Sequence, residues 1–133
     1  MNDRDLALLN IRPTLSINLE KVSLPEETFQ NKTLRPILKL QHDTIIGLFK
    51  NFLRHHKANY EAMLSQEKIM FIDSVLNKEL KLKNTLLGVV IGQFTTLELQ
   101  EFNTNSQNLS KRIADLLRQR IIDSIILLDD LQD

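Results

Sequence analysis

The sequence predicts an all-α fold, a bundle of four main helices over residues 33–57, 66–81, 84–94 and 106–131 with short helical pieces beside them. Three observations carry that expectation. Apolar residues recur at steps of three and four through most of the chain, the spacing that puts them on one face of a helix. No Asn-Gly or Asp-Gly turn occurs, and no clean alternating run has a partner to pair with, so hairpin signals are missing. Three glycines and three prolines among 133 residues, with a high Leu and Ile count, leave few breaks for a strand-and-turn architecture. At this length the chain forms one domain with a sizeable core, residues 1–24 as a short helix and arm and residues 25–133 as the bundle.

The elements follow in order. Residues 2–11 carry Leu6, Leu8, Leu9 and Ile11 behind Asn2 or Asp3 as a cap, and the helix ends before Pro13 because a residue preceding proline disfavours the helical region. Residues 14–23 read as irregular, an extended arm in which Leu15, Ile17 and Leu19 alternate and can pack on the same chain or a second copy. Pro25, Glu26 and Glu27 mark a helix start running to about Asn31. Thr33 is the expected cap of the longest helix, with Pro36 in its first turn; Leu34, Leu38, Gln41, Ile45, Leu48 and Phe52 form its stripe, widened by Ile37, Phe49 and Leu53. Ser65 is the expected cap of the next helix, with Ile69, Ile72, Val75, Leu76 and Leu80 facing inward and a break near residues 81–84.

The run from Asn84 to Leu99 is the most apolar in the chain and organises the rest. Gly88 and Gly92 lie four apart, so on a helix they stack into a flat strip that a neighbouring backbone can approach; packing there must offset about 1 kcal/mol per glycine. Thr95-Thr96-Leu97-Glu98 reads as a capping box opening a short helix over 97–103. The final helix buries Leu109, Ile113, Leu116, Leu117, Ile121, Ser124, Ile125 and Leu128. Ile122 and Ile126 fall outside that stripe, as they would on a helix buried on two sides or covered by a partner chain.

Composition excludes several function classes. Net charge is zero, which argues against a general nucleic-acid binder, since such a protein needs a positive field to displace counterions. No cysteine is present, so thiolate catalysis, disulfides and Cys-based metal sites are out. The acidic start and the interrupted apolar runs fit neither a signal peptide nor a membrane span, and the expected location is cytoplasmic. His55 and His56 are adjacent and diverge on a helix, His42 lies turns away, and no His-x-x-x-His or His-Glu-x-x-His spacing exists; no metal, cofactor or catalytic residue is assigned.

Three candidate sites remain. Gln41 and Gln93 are polar groups on apolar faces and need partners, so Gln41, His42, Gly88, Gly92, Gln93 and Thr95 are candidates for one polar pocket over the glycine strip. Lys50, Arg54, His55, His56 and Lys57 end the long helix, where cations complement the helix dipole and can also meet an anion, an acidic partner or nucleic acid. Lys111, Arg112, Arg118 and Arg120 on the last helix interleave with Asp115 and Asp123, which reads as exposed ion pairing.

The stretches Asn31-Lys-Thr-Leu-Arg-Pro-Ile-Leu-Lys-Leu-Gln-His-Asp43 and Lys83-Asn-Thr-Leu-Leu-Gly-Val-Val-Ile-Gly-Gln-Phe-Thr95 resemble a family of small helical bacterial proteins of unassigned function, over most of the chain after residue 28. Some members carry a glyoxalase label, which implies a metal-dependent lyase of βαβββ modules with His, Gln and Glu ligands. This sequence has neither a strand pattern for such modules nor matching ligand spacing, so the resemblance implies a helical fold and transfers no catalytic residue. The expected function is a non-enzymatic interaction module forming a homodimer through Leu15, Ile17, Leu19, Ile122 and Ile126. The alternatives are a small-ligand binder or enzyme at the glycine strip, and an anion contact at residues 50–57.

Overall fold

The computed structural model describes residues 1–15, 24–57 and 59–132, with side chains as far as Ile125. Ile17 and Leu19, and the side chains of Ile126 and Leu128, lie outside the described residues. The chain is all-α. The helices are α1 (Asp3–Ile11), α2 (Pro25–Phe29), α3 (Arg35–Leu40), α4 (His42–His55), α5 (Ser65–Lys78), α6 (Leu80–Ile91), α7 (Thr96–Thr104) and α8 (Ser106–Gln132), with a π-helical turn over Gln30–Leu34 and a 3₁₀ turn over Tyr60–Ala62. No strand occurs among the described residues.

Local chemistry sets most boundaries. Asn2 caps α1, its side-chain oxygen accepting the Asp5 N–H at 2.7 Å. Pro25 opens α2. The capping box of α7 forms as the sequence predicts: Thr95 Oγ1 accepts the Glu98 N–H at 3.3 Å, and Glu98 Oε1 accepts the Thr95 N–H at 2.9 Å. At α5 the cap is one residue earlier than expected. Leu64 is the N-cap and Ser65 the first helical residue, because Glu67 Oε1 reaches back to the Leu64 N–H at 3.0 Å.

The expected single helix over 33–57 is interrupted. Thr33 does not cap it; it sits inside the π-helical turn, buried, and Arg35 N–H bonds back to Gln30 O. The cause is Pro36, which brings no N–H and whose ring crowds the preceding turn, so the ladder widens to i→i+5 just before it. A second irregularity falls at Gln41, where φ −92° and ψ 7° separate α3 from α4. The break expected at 81–84 occurs at Glu79, so Lys81 to Asn84 are helical and α6 begins earlier than the sequence implies.

Helices α4, α5, α6 and α8 pack on one another. The core they share includes Leu34, Ile37, Ile45, Phe49, Ile72, Leu86, Val90, Phe94, Ile113, Leu117 and Ile121. Leu80, expected in the stripe of α5, is 61% exposed because it lies past the Glu79 break.

The glycine strip differs from expectation. Leu86 and Val90 bury one side of α6, but Gly88 and Gly92 are exposed, and a Cβ added at Gly88 would meet no atom within 4 Å. Among the described residues no neighbouring backbone uses the strip. At Gly92 a Cβ would approach the Gly88 carbonyl at 3.1 Å, so the freedom to substitute is confined to Gly88. Gly88→Ala is therefore expected to raise stability by about 1 kcal/mol, the helix-propensity difference, read as a higher urea midpoint.

Candidate functional site

The first polar cluster forms where α6 gives way to α7. A helix C-terminus leaves carbonyls without intrahelical donors, and α6 has no basic residue in its last turn. At the C-cap of α6 and in the turn beyond it the donors are Arg4 of α1 and Arg12, the residue after α1. Arg4 Nη2 donates to Gly92 O at 3.1 Å and Nη1 to Phe94 O at 3.0 Å, while Arg12 Nη2 donates to Gln93 O at 2.9 Å. Two guanidinium groups, 81 to 90 residues away in sequence, thus serve the C-cap of α6 and the two carbonyls of the turn that follows it.

Arg12 also forms a two-pronged ion pair with Glu98, at 2.7 and 2.9 Å, with the side chains only 8% and 16% exposed. Thr33 Oγ1 donates to Glu98 at 3.2 Å, and Asp5 accepts the Thr96 N–H at 3.1 Å. Burial opposes ionisation of Glu98, but the Arg12 and Thr33 donors and the Thr95 N–H outweigh it and hold the carboxyl below the usual range. Every Glu98 oxygen is occupied by protein, so the cluster ties elements together and offers no open position to a substrate.

The six pocket candidates do not converge. Gln41 Nε2 donates to the Val89 carbonyl at 3.2 Å, which satisfies it against α6. His42 turns toward α8, where its Nδ1 lies 3.0 Å from Arg120 Nη1 and accepts from that guanidinium. Gly88 and Gly92 face solvent, Gln93 supplies a backbone carbonyl to Arg12, and Thr95 is a buried cap. The 50–57 patch also changes. Lys50, Arg54, His55 and Lys57 are exposed, but the His56 ring lies between Phe52 and Phe71, at 5.1 and 5.2 Å, and packs as part of the core rim. Of the dimer candidates, Ile122 packs on the chain's own core and Leu15 is half-buried.

Among the described residues two grooves run along α8. The larger, about 530 Å³, is bounded by Glu26, Gln30, Lys111, Arg112 and Asp115. Its charges balance, and two of its polar groups are engaged: Arg112 donates to Gln30 at 2.9 Å and Glu26 accepts from Asn105 at 3.1 Å. The second, about 340 Å³, lies between α3 and α8 and collects Arg35, Lys39 and Arg120 over Leu15, Leu38 and Leu116. Burial, and then the Arg35 charge beside it, push the Arg120 pKa down from its ordinary value against the pull of Asp123. Asp123, the acid on this groove, is held by Gln119 Nε2 at 2.7 Å. The interleaved charges of α8 therefore do not simply pair along the helix: Arg118 binds Asp73 of α5, and Arg120 is spent on His42.

Sequence reasoning missed Arg4, Asp5, Arg12 and Glu98 as one cluster because their partners are distant in the chain. The i,i+4 spacing of Arg35 and Lys39 was a readable signal for the groove, but Arg120 opposite them was not. Among the described residues no group of three or more His, Cys, Asp or Glu is placed to hold a metal ion. No helix of the described residues is long and apolar enough to cross a membrane. Searches of family models, curated proteins and solved structures found no match to this chain.

Proposed function

We propose that the chain is a non-enzymatic assembly module in which α4, α5, α6 and α8 serve as a four-helix frame and α1 pairs with α1 of a second copy. The observation that supports this is the orientation of α1. Asp5 turns inward at 3% exposure and Arg12, the residue after the helix, lies on Glu98, while Leu6 at 51% and Leu9 at 40% stand in solvent with Asp3 and Arg4. An amphipathic helix usually does the reverse. Its carboxylate and guanidinium anchors hold the leucines outward in a fixed direction.

Leu6 and Leu9 lie three apart on one flank, and no charged residue separates them there. A two-fold antiparallel pairing sets Leu6 of each copy against Leu9 of the other, an arrangement that is self-complementary by construction. Zero net charge means that two copies meet without overall repulsion. A single short helix pair buries less than the roughly 1,200 Å² of a standard stable interface, so the dimer is weak and concentration-dependent.

Sedimentation velocity over a concentration series tests the reading. The expected result is a monomer–dimer equilibrium at tens of micromolar that Leu6→Ser with Leu9→Ser shifts to monomer while far-UV circular dichroism is unchanged. A monomer at all concentrations overturns it. Ile122→Asp, in contrast, strikes the chain's own core and is expected to lower the melting temperature in the monomer itself.

A further inference from the structure

We propose that the groove between α3 and α8 binds a phosphate-bearing small molecule, with Arg35, Lys39 and Arg120 as its anion cradle. Arg35 and Lys39 project from one face of α3 at a four-residue spacing, and Arg120 meets them from α8. Against these cations stands Asp123, already engaged by Gln119. Among its described lining residues the groove is therefore short of negative charge, although the chain as a whole is neutral.

The second support is the way Arg120 is held. Its Nη1 donates to His42 Nδ1 at 3.0 Å, which fixes the guanidinium plane and occupies one edge. Among the described residues it makes no ion pair within 4.0 Å, and its other nitrogens make no hydrogen bond. A half-buried arginine with an arginine for a neighbour is an arrangement that a bound dianion relieves, because it supplies acceptors to both forks at once. Arg35 spends its Nε on Asn31 at 2.9 Å, and its terminal nitrogens make no hydrogen bond among the described residues.

The volume, about 340 Å³, falls in the range of small-molecule sites. Leu15, Leu38 and Leu116 supply an apolar floor beside the cations, which suits a phosphate carried on a ring or hydrocarbon body rather than the free ion alone.

Thermal melting and isothermal titration with inorganic phosphate and with phenyl phosphate, each against sodium chloride at matched ionic strength, test the assignment. Saturable stabilisation by both is expected, tighter for phenyl phosphate. Arg120→Gln is expected to weaken binding about tenfold or more, the loss that follows removal of a charge-assisted donor pair. Arg35→Gln keeps the fold secure. It is expected to raise the melting temperature without phosphate, since the repulsion on Arg120 is relieved, and to abolish the phosphate-dependent rise. Arg118→Gln, which lies outside the groove on Asp73, is expected to leave binding unchanged. A response no larger than that to chloride, or one that survives both Arg35→Gln and Arg120→Gln, overturns the proposal.

Discussion

Glu98→Ala is expected to destabilise the fold by about 3–5 kcal/mol, the range for removing one partner of a buried ion pair. Arg12 would keep its charge at 8% side-chain exposure with no carboxylate to face, and its Nε already lacks a partner among the described residues. The same change removes half of the α7 capping box and the acceptor for Thr33. Urea unfolding at neutral pH reads the loss, and the double variant Glu98→Leu with Arg12→Leu is expected to recover much of it, since no buried charge is left alone. The ion pair also predicts a pH dependence. The folded carboxyl titrates below its unfolded value of about 4.3, so its contribution is complete above that pH and disappears as pH falls through the folded value. A urea midpoint series from neutral to acid is expected to decline below about pH 4.3 in the native chain, with the Glu98 part of that decline absent in Glu98→Gln.

Phe94→Ala is expected to cost about 3–5 kcal/mol, as for other buried aromatic truncations. Phe94 is 2% exposed and stands edge-on to Phe29 at 5.5 Å, with Phe102 at 5.6 Å on its other side. Truncation would remove the shared wall between α2 and α7 and leave a void that helices anchored by caps cannot close. Thermal and urea unfolding check the loss. Leu80→Ala is the matched control: Leu80 is 61% exposed, and its removal is expected to change stability by less than about 0.5 kcal/mol. Two apolar residues from the same half of the sequence thus part by several kcal/mol on burial alone.

Signals that live within one turn were legible in the sequence. Thr95 and Glu98 sit three apart, and a capping box needs nothing else. Asn2 over Asp5 and Pro25 at the start of α2 are of the same kind. The four-residue spacing of Leu109, Ile113, Leu117 and Ile121 marks the buried face of α8 directly. What could not be read depends on partners far along the chain. Leu6 and Leu9 look like the inward face of α1 until Gly92, Gln93 and Phe94 are seen to need donors, and that need decides which way the helix lies. Gln41 broke an apolar stripe in the sequence; in the structure it marks the turn between two helices and reaches the Val89 carbonyl. The glycines misled for a related reason. A small-residue pair permits close approach but does not require it, and α6 presents Gly88 to solvent. For the site, the basic character of α3 was visible but its convergence with Arg120 was not, since the register of α8 against α3 is a tertiary fact.

Servicing the end of α6 from α1 has a consequence for the order in which the molecule is made. Arg12 and Glu98 are 86 positions apart, so a nascent chain carries its arginines long before the carbonyls and carboxylate they serve have been polymerised. Closing so wide a loop is entropically slow, and until it closes α1 is a short helix without its anchors. The growing polypeptide thus depends on its final third to secure its first dozen residues, and ribosome-bound fragments that stop short of residue 98 should leave that opening helix open to proteolysis.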